Sequence, residues 1–279
     1  MCELFGMSSR LPATVNLSMA EFARHGGLTA PHGDGWGIAF FDGADVRLLK
    51  EPEPAADSPW IAFVRDRGIR SPLAISHIRL ATHGGRTLAN TQPFSREMGG
   101  RMHVFAHNGF FDGAEALEPG PFRPVGETDS ELAFCHLLAR LQPLWMTGGP
   151  PPPPAAILPV VADVAGRLAG MGPANFLYSD GRTLFAHSDR RRGPDGVIVP
   201  PGLHVLTRQC PAADDAARGA GLKVDAGGQS VVLLASRPLS GEPWRALDEG
   251  TVLAVSDGAI LEAVRRDPVR EIPGAAPVP

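Results

Sequence analysis

Cys2, Arg79, the pair Asn108–Gly109 and Asp129 are residues whose types could together perform acyl transfer. If the initiator methionine is removed, Cys2 carries a thiol and a free α-amine on one residue. An α-amine has an ordinary pKa of about 7.7–8.0, so it can take the thiol proton directly or through one water. Such a nucleophile needs no histidine base. An acyl-transfer site also needs donors for an oxyanion. The Asn108 side-chain NH₂ and the Gly109 backbone N–H can supply them, each worth about 2.7–4 kcal/mol in a transition state. Taken alone, HNG also reads as a plain Asn-Gly turn. Arg79 is a planar, permanently charged donor suited to a carboxylate, and a surface salt bridge is its other reading. Asp129 falls in the first turn of a predicted helix, where its ionised form is favoured. Capping would explain it too, but Thr128 already supplies the cap. Held apart, Arg79 and Asp129 would match the α-carboxylate and α-ammonium of a free amino acid.

Two other chemistries fit less well. His77, His83, His103 and His107 form two pairs. The second pair would share a face on a helix, but MHVFAHNG reads as a strand, where residues four apart lie about 13 Å from each other. No HExxH occurs, so no metal is expected, and no cofactor is called for. No GxSxG occurs either, and Ser76 and His77, adjacent in a strand, point to opposite faces.

Four patches of unusual composition, PHGDGWGIAFF, SHIRLATHGG, FAHNGFF and VGETDSELAF, are rich in Gly, His, Asn, Asp or Arg, each at the end of an apolar run. Ends of rigid elements are where a fold presents groups to a ligand. The runs CELFGM, WGIAFF, VRLLK, LAISHI, HVFAH, NFLYS, TLFAHS, HVLT, SVVLLAS and TVLAVS read as strands. FFDGADV, YSDGRTL and VSDGAIL carry the Asp-Gly dipeptide of hairpins. Helices are expected at SMAEFARHGG, SPWIAFVRDRG and TDSELAFCHLLARLQPLW, and at AAILPVVADVAGRLAG, broken or started at Pro159. Thr128 with Glu131 is a capping box. Leu132, Cys135, Leu138 and Leu141 make a core stripe, so Cys135 reads as a small core residue. The stretch TGGPPPPPAA is read as a loop insertion rather than a linker. Hairpin-linked strands with a few helices imply an α+β fold.

The 279 residues are 43% hydrophobic and 20% charged, with a net charge of −4. That supports a sizeable core. It offers no basic domain for nucleic acid. RDRGIR and the triplet Arg190–Arg191–Arg192 are read as solvated turns. Three scattered cysteines without a CxxC make neither a disulfide framework nor a zinc ribbon. No apolar stretch is read as approaching about 18 residues, so no membrane span is expected. No signal peptide is seen, and a cytoplasmic protein is expected.

MCELFGMS, HGDGWGIAFF, HIRLATHG, NTQPF, AHNG and FRPVGETDSE, in this order, resemble the class II glutamine amidotransferases, in particular the small stand-alone YafJ type. The resemblance runs from Cys2 to about residue 140 and continues more loosely through NFLYSDGRTLFAHS and LLASRPLSGEPW to about residue 260. It implies an N-terminal-nucleophile hydrolase, a four-layer αββα sandwich of two mainly antiparallel sheets, over 2–265, with a disordered tail at 266–279. It implies that Cys2 forms a γ-glutamyl thioester and that Asn108 and Gly109 hold the oxyanion. Arg79, with Thr82 and His83, would bind the substrate carboxylate, and Asp129 the ammonium. Many members have tryptophan where this chain has Leu80, so Leu80 or Trp36 is expected to wall the pocket. The glycines of GDGWG are expected either to let the backbone approach the N-terminal strand or to form a structural turn. Three functions remain open: a glutaminase passing ammonia to a separate synthase, a stand-alone hydrolase of another γ-glutamyl amide or peptide, and a non-catalytic glutamine sensor.

Overall fold

In the computed structural model, residues 2–15, 33–81, 83–193, 195–210 and 228–266 are described. The helix expected at SMAEFARHGG, Thr82 and nearly all of the expected tail lie outside them. The strands are β1 (Glu3–Ala13), β2 (Trp36–Asp42), β3 (Asp45–Glu51), β4 (Ser71–Ile78), β5 (Phe94–Met98), β6 (Arg101–Gly109), β7 (Ala174–Ser179), β8 (Leu184–Ser188), β9 (Arg191–Arg192), β10 (Ile198–Val199), β11 (His204–Cys210), β12 (Gln229–Ala235), β13 (Arg245–Ala246), β14 (Thr251–Ser256) and β15 (Ala259–Arg265). The α-helices are α1 (Pro59–Arg67), α2 (Asp129–Trp145) and α3 (Pro154–Met171).

One sheet runs β13-β11-β12-β1-β4-β2-β3, the other β15-β14-β8-β7-β6-β5. Neighbouring strands pair antiparallel. The Asp-Gly signals behave as turns: Asp257 and Gly258 both take positive φ, 51° and 73°, between β14 and β15, as a two-residue hairpin requires.

Strand alternation builds the layers. Leu4 of β1, with Ala39, Leu73 and Ile75, faces the second sheet and meets Val104, Ala106 and Leu177 there. Phe5 and Met7 face the other way and pack with Trp36, Ile38 and the α1 residue Val64. On the far side, Phe105 and Phe176 are covered by Phe134 and Leu137 of α2 and Val161 and Leu168 of α3. The result is helix, sheet, sheet, helix. Each large apolar side chain buried this way contributes about 1.5–3 kcal/mol.

Four local expectations change. Glu131 accepts from Gly126 N–H (2.7 Å) and pairs with Arg96, although Thr128 Oγ1 does accept from Glu131 N–H as a cap. The α2 stripe is centred on Phe134, Leu138 and Leu141, with Cys135 fully buried and Leu132 only partly. Burial pushes the Cys135 thiol up to about 11. Helix α3 starts at Pro154, not Pro159, because a proline at the first helical position needs no N–H partner; Pro159 sits inside it. That helix also has 18 residues at mean hydropathy 1.3, so an apolar stretch of membrane-spanning length does exist; its window is half buried in the protein.

Buried histidines make the fold acid-sensitive. His103 is sealed in the core with Nδ1 2.7 Å from the Tyr178 hydroxyl and Nε2 3.1 Å from Met98 O. Since a carbonyl only accepts, Nε2 carries the proton. Burial lowers its pKa to about 4. The unfolded chain, near 6.5, therefore binds more protons between those values, and stability falls as pH drops through that window. We expect His103 alone to cost about 2 kcal/mol of unfolding free energy between pH 7 and pH 5. Urea titrations at the two pH values check this, and a pH-independent midpoint would refute it.

Candidate active site

The head of β1 lies in the middle of the seven-stranded sheet, between β12 and β4. Cys2 is 9% exposed there. Its Sγ accepts from Leu80 N–H at 3.3 Å and donates to Leu80 O at 3.4 Å. Burial pushes the thiol pKa up, against the Leu80 hydrogen bond and the Arg79 charge that pull it down. The resting group is therefore a thiol, and a base must remove its proton during reaction.

Arg79 follows β4 directly and is buried. Its guanidinium donates to Gly85 O (3.0 Å), His83 O (2.9 Å), Gly84 O (3.1 Å) and, longest, Asp34 O (3.5 Å). The sequence reading of a surface salt bridge fails, because the partners are loop carbonyls. His83 contributes its carbonyl while its side chain lies on the surface. Asp34, unassigned in the sequence, fastens the same loop: its Oδ2 accepts from Ala81 N–H at 2.8 Å. Asn90 pins it again, donating to Gly85 O (3.0 Å) and accepting from Glu127 N–H (2.8 Å).

Asn108 is fully buried at the end of β6, in the second sheet. Its Nδ2 donates to Ser236 Oγ at 3.2 Å, and Ser236 Oγ accepts from Leu4 N–H at 3.0 Å. Ser236 thus ties Asn108 to the strand that carries Cys2. Asn108 Oδ1 has no partner among the described residues. Gly109 must be glycine: a Cβ there would fall 1.6 Å from the backbone oxygen of Pro173. The HNG stretch is therefore the end of a strand rather than a turn.

Asp129 opens α2 and is half-buried. One oxygen accepts from Phe111 N–H (2.7 Å), the other from Ser130 N–H (2.8 Å). The carboxylate so anchors the segment just after Gly109. His107 supports it from behind, with Nδ1 2.9 Å from Ser130 Oγ and Nε2 3.2 Å from Pro173 O. Gln92 Oε1 accepts from His107 N–H at 2.6 Å.

Trp36 is not at this site. It is 1% exposed, packs with Phe5, Met7 and Ile38 in the α1-side core, and donates from Nε1 to Glu51 at 3.0 Å. Leu80 is half-buried at the site, where its backbone holds the thiol. The GDGWG glycines also serve a different neighbour: a Cβ on Gly37 would lie 2.4 Å from Gln92 O, and β4 stands between β2 and β1. Among the described residues, no group of three or more His, Cys, Asp or Glu is arranged to hold a metal.

The two-sheet sandwich, with a cysteine at the head of a central strand, has the architecture of the N-terminal-nucleophile type. Residues 1–276 match the family described as "Glutamine amidotransferases class-II". The chain is 38% identical over 257 residues to "Putative glutamine amidotransferase YafJ" of Escherichia coli (strain K12), covering 90% of this chain and 95% of that one. It is also similar to a solved structure from Pseudomonas aeruginosa PA01 described as a predicted glutamine amidotransferase, at 33% identity and TM-score 0.66, covering 94% and 100% of the two chains. The glutamine phosphoribosylpyrophosphate amidotransferase of B. subtilis shares the fold, at 18% identity and TM-score 0.59, over 95% of this chain and 49% of that one. The chain belongs to the class II glutamine amidotransferases and is an enzyme of that family.

Proposed function

We propose that the enzyme hydrolyses the side-chain amide of L-glutamine through a γ-glutamyl thioester on Cys2 and releases ammonia. The observation that carries this reading is the convergence on the head of β1 of Leu80, next to Arg79, at the Cys2 thiol, and of Asn108, through Ser236, at the Leu4 N–H. With Met1 removed, the Cys2 amine takes the thiol proton as sulfur attacks the amide carbon. The oxyanion is met by the Asn108 N–H not used by Ser236 and by Gly109 N–H. The protonated amine then gives its proton to the departing ammonia. A water, deprotonated by the same amine, cleaves the thioester to glutamate. Arg79 takes the α-carboxylate and Asp129 the α-ammonium.

Intact mass establishes whether Met1 is absent, and glutamate release from L-glutamine tests the chemistry. A folded protein lacking Met1 that releases no glutamate sinks the reading. Asp129→Asn removes the charge and keeps an amide oxygen for Phe111 N–H, at the loss of the bond from Ser130 N–H. We expect KM for glutamine to rise about tenfold, roughly 1.4 kcal/mol, with little change in kcat. An unchanged KM would remove Asp129 from the ammonium site.

A further inference from the structure

Asn175 is sealed in β7, directly opposite Asn108 of β6 in the ladder. Both ends of its side-chain amide are occupied. Nδ2 donates to Asn108 O at 3.1 Å and to Arg190 O at 2.7 Å, and Oδ1 accepts from Asp189 N–H at 2.8 Å. The neighbours of that amide are themselves fixed. Asp189 is fully buried and accepts from Ala174 N–H at 3.0 Å. Arg190 opens the triplet expected as a solvated turn, yet Asp189 (3.3 Å) and Glu249 (3.4 Å) pair with its guanidinium, and Arg191 donates to Ser236 O at 2.9 Å. Gly202 closes over the amide: a Cβ there would fall 1.5 Å from Asn175 Oδ1.

Strand interiors ordinarily take β-branched and aromatic side chains, and a buried amide must find partners for every donor. Here the partner that matters is Asn108 O. That carbonyl belongs to the same planar peptide as Gly109 N–H. Among the described residues, cis peptide bonds occur only at Gln92–Pro93 and Pro200–Pro201, so Asn108–Gly109 is trans. In a trans peptide the C=O and N–H point in opposite directions. Asn108 O faces β7 and Asn175, so Gly109 N–H faces away from β7. Holding the carbonyl therefore fixes the bearing of the N–H. A hydrogen bond to the carbonyl also polarises the peptide and strengthens its N–H as a donor. The Asn108 side chain is held separately, by Ser236 Oγ at 3.2 Å. The two donors of Asn108–Gly109 thus have two independent anchors, one in each sheet: Ser236 after β12 for the side chain, Asn175 in β7 for the backbone.

We propose that Asn175 is a positioning residue that aims Gly109 N–H at the oxyanion. This rests on the amide-hydrolysis reading above. Asn175 acts through Asn108 O, so its effect is confined to states that carry the oxyanion. Thioester formation and thioester hydrolysis both pass through such a state, so kcat depends on Asn175 whichever step is slower. Ground-state glutamine, gripped by Arg79 and Asp129, does not depend on it.

Steady-state glutamate release from L-glutamine by Asn175→Ala tests the proposal, beside the rate at which iodoacetamide alkylates Cys2, followed by peptide mass. Alkylation needs the thiol and forms no oxyanion. We expect kcat at least tenfold lower, part of the roughly 10²–10³-fold loss when an oxyanion donor is removed outright, with KM and the alkylation rate within twofold of the parent. Tyr178→Phe is the control for lost stability: it lies on the same strand and strips the hydroxyl from His103 Nδ1 without touching Asn108. It should lower the unfolding midpoint and leave kcat within twofold. If Asn175→Ala does not fold, Asn175→Ser, which keeps a polar group in the space but gives up the reach to Asn108 O, is read by the same criteria. An unchanged kcat overturns the proposal. So does a kcat loss matched by a rise in KM or a fall in alkylation, because the site as a whole has then come apart. So does a loss as large in Tyr178→Phe. A parent enzyme that releases no glutamate sinks the hydrolysis reading and this proposal with it, whereas an active parent with an equally active variant sinks this proposal alone.

Discussion

Cys2→Ala is expected to lower glutamate release by at least about 10⁴-fold, the scale lost when a covalent nucleophile is removed, and to leave the unfolding midpoint close to that of the parent. The thiol makes two hydrogen bonds to the Leu80 backbone, both at sulfur distances of 3.3–3.4 Å. Its loss opens only a small space at the head of β1. Because the resting group is a thiol raised by burial, activity should depend on the nearby base as well as on sulfur. Blocking the Cys2 α-amine, by retaining Met1 or by adding a residue before Cys2, should therefore depress turnover while the thiol remains titratable by a small alkylating reagent. Equal turnover with Cys2 and with Ala would end the nucleophile assignment outright.

Gly109→Ala should be severely damaging, because among the described glycines its added methyl meets the closest backbone atom. The new Cβ would sit 1.6 Å from Pro173 O and 2.7 Å from His107 Nε2. The obstacle is backbone, so it cannot rotate away. Relief requires moving the start of β7, which pairs with β6 through Gly109 and Ala174. We expect a loss above about 4 kcal/mol, in the range reserved for a specific structural failure. Gly43→Ala is the control. Gly43 also has positive φ, 64°, but nothing lies within 4 Å of its Cβ position, so it should cost only about 1–2 kcal/mol of backbone strain. Denaturant titration of both variants decides the point. A Gly109→Ala protein no less stable than Gly43→Ala would show that the strand end has room to spare.

The elements legible in the sequence are those whose signal is local. Alternating apolar runs and Asp-Gly turns marked the strands because the period of two and the positive-φ requirement act within a few residues. Cys2, Arg79, Asn108 and Asp129 stand out by residue type together with the resemblance of their surrounding motifs to a family, since each alone also has a plain structural reading. Ser236 and Asn90 did not, since a serine or asparagine after a strand has no local mark of what it will touch. Ser236 meets Asn108 only because β12 pairs with β1 and the two sheets stack, a relation across 128 residues. Trp36 was misplaced for a related reason. An aromatic next to glycines suggests a ligand wall, but strand parity put it on the face with Ile38 and Phe40. The Arg190–Arg192 triplet looked solvated because charge alone gives no hint of a carbonyl such as Ser236 O to receive it.

Arg79 already holds four carbonyl oxygens, three of them from consecutive residues 83–85. Under the proposed reading, an incoming carboxylate must exchange for some of these, so ligand and loop compete for one set of donors. Apparent affinity then equals intrinsic affinity scaled by the fraction of molecules whose guanidinium is released. The loop therefore acts as a built-in competitor whose strength is fixed by Asn90 and Asp34. An amide with no carboxylate has nothing to offer in the exchange and leaves that competitor in place.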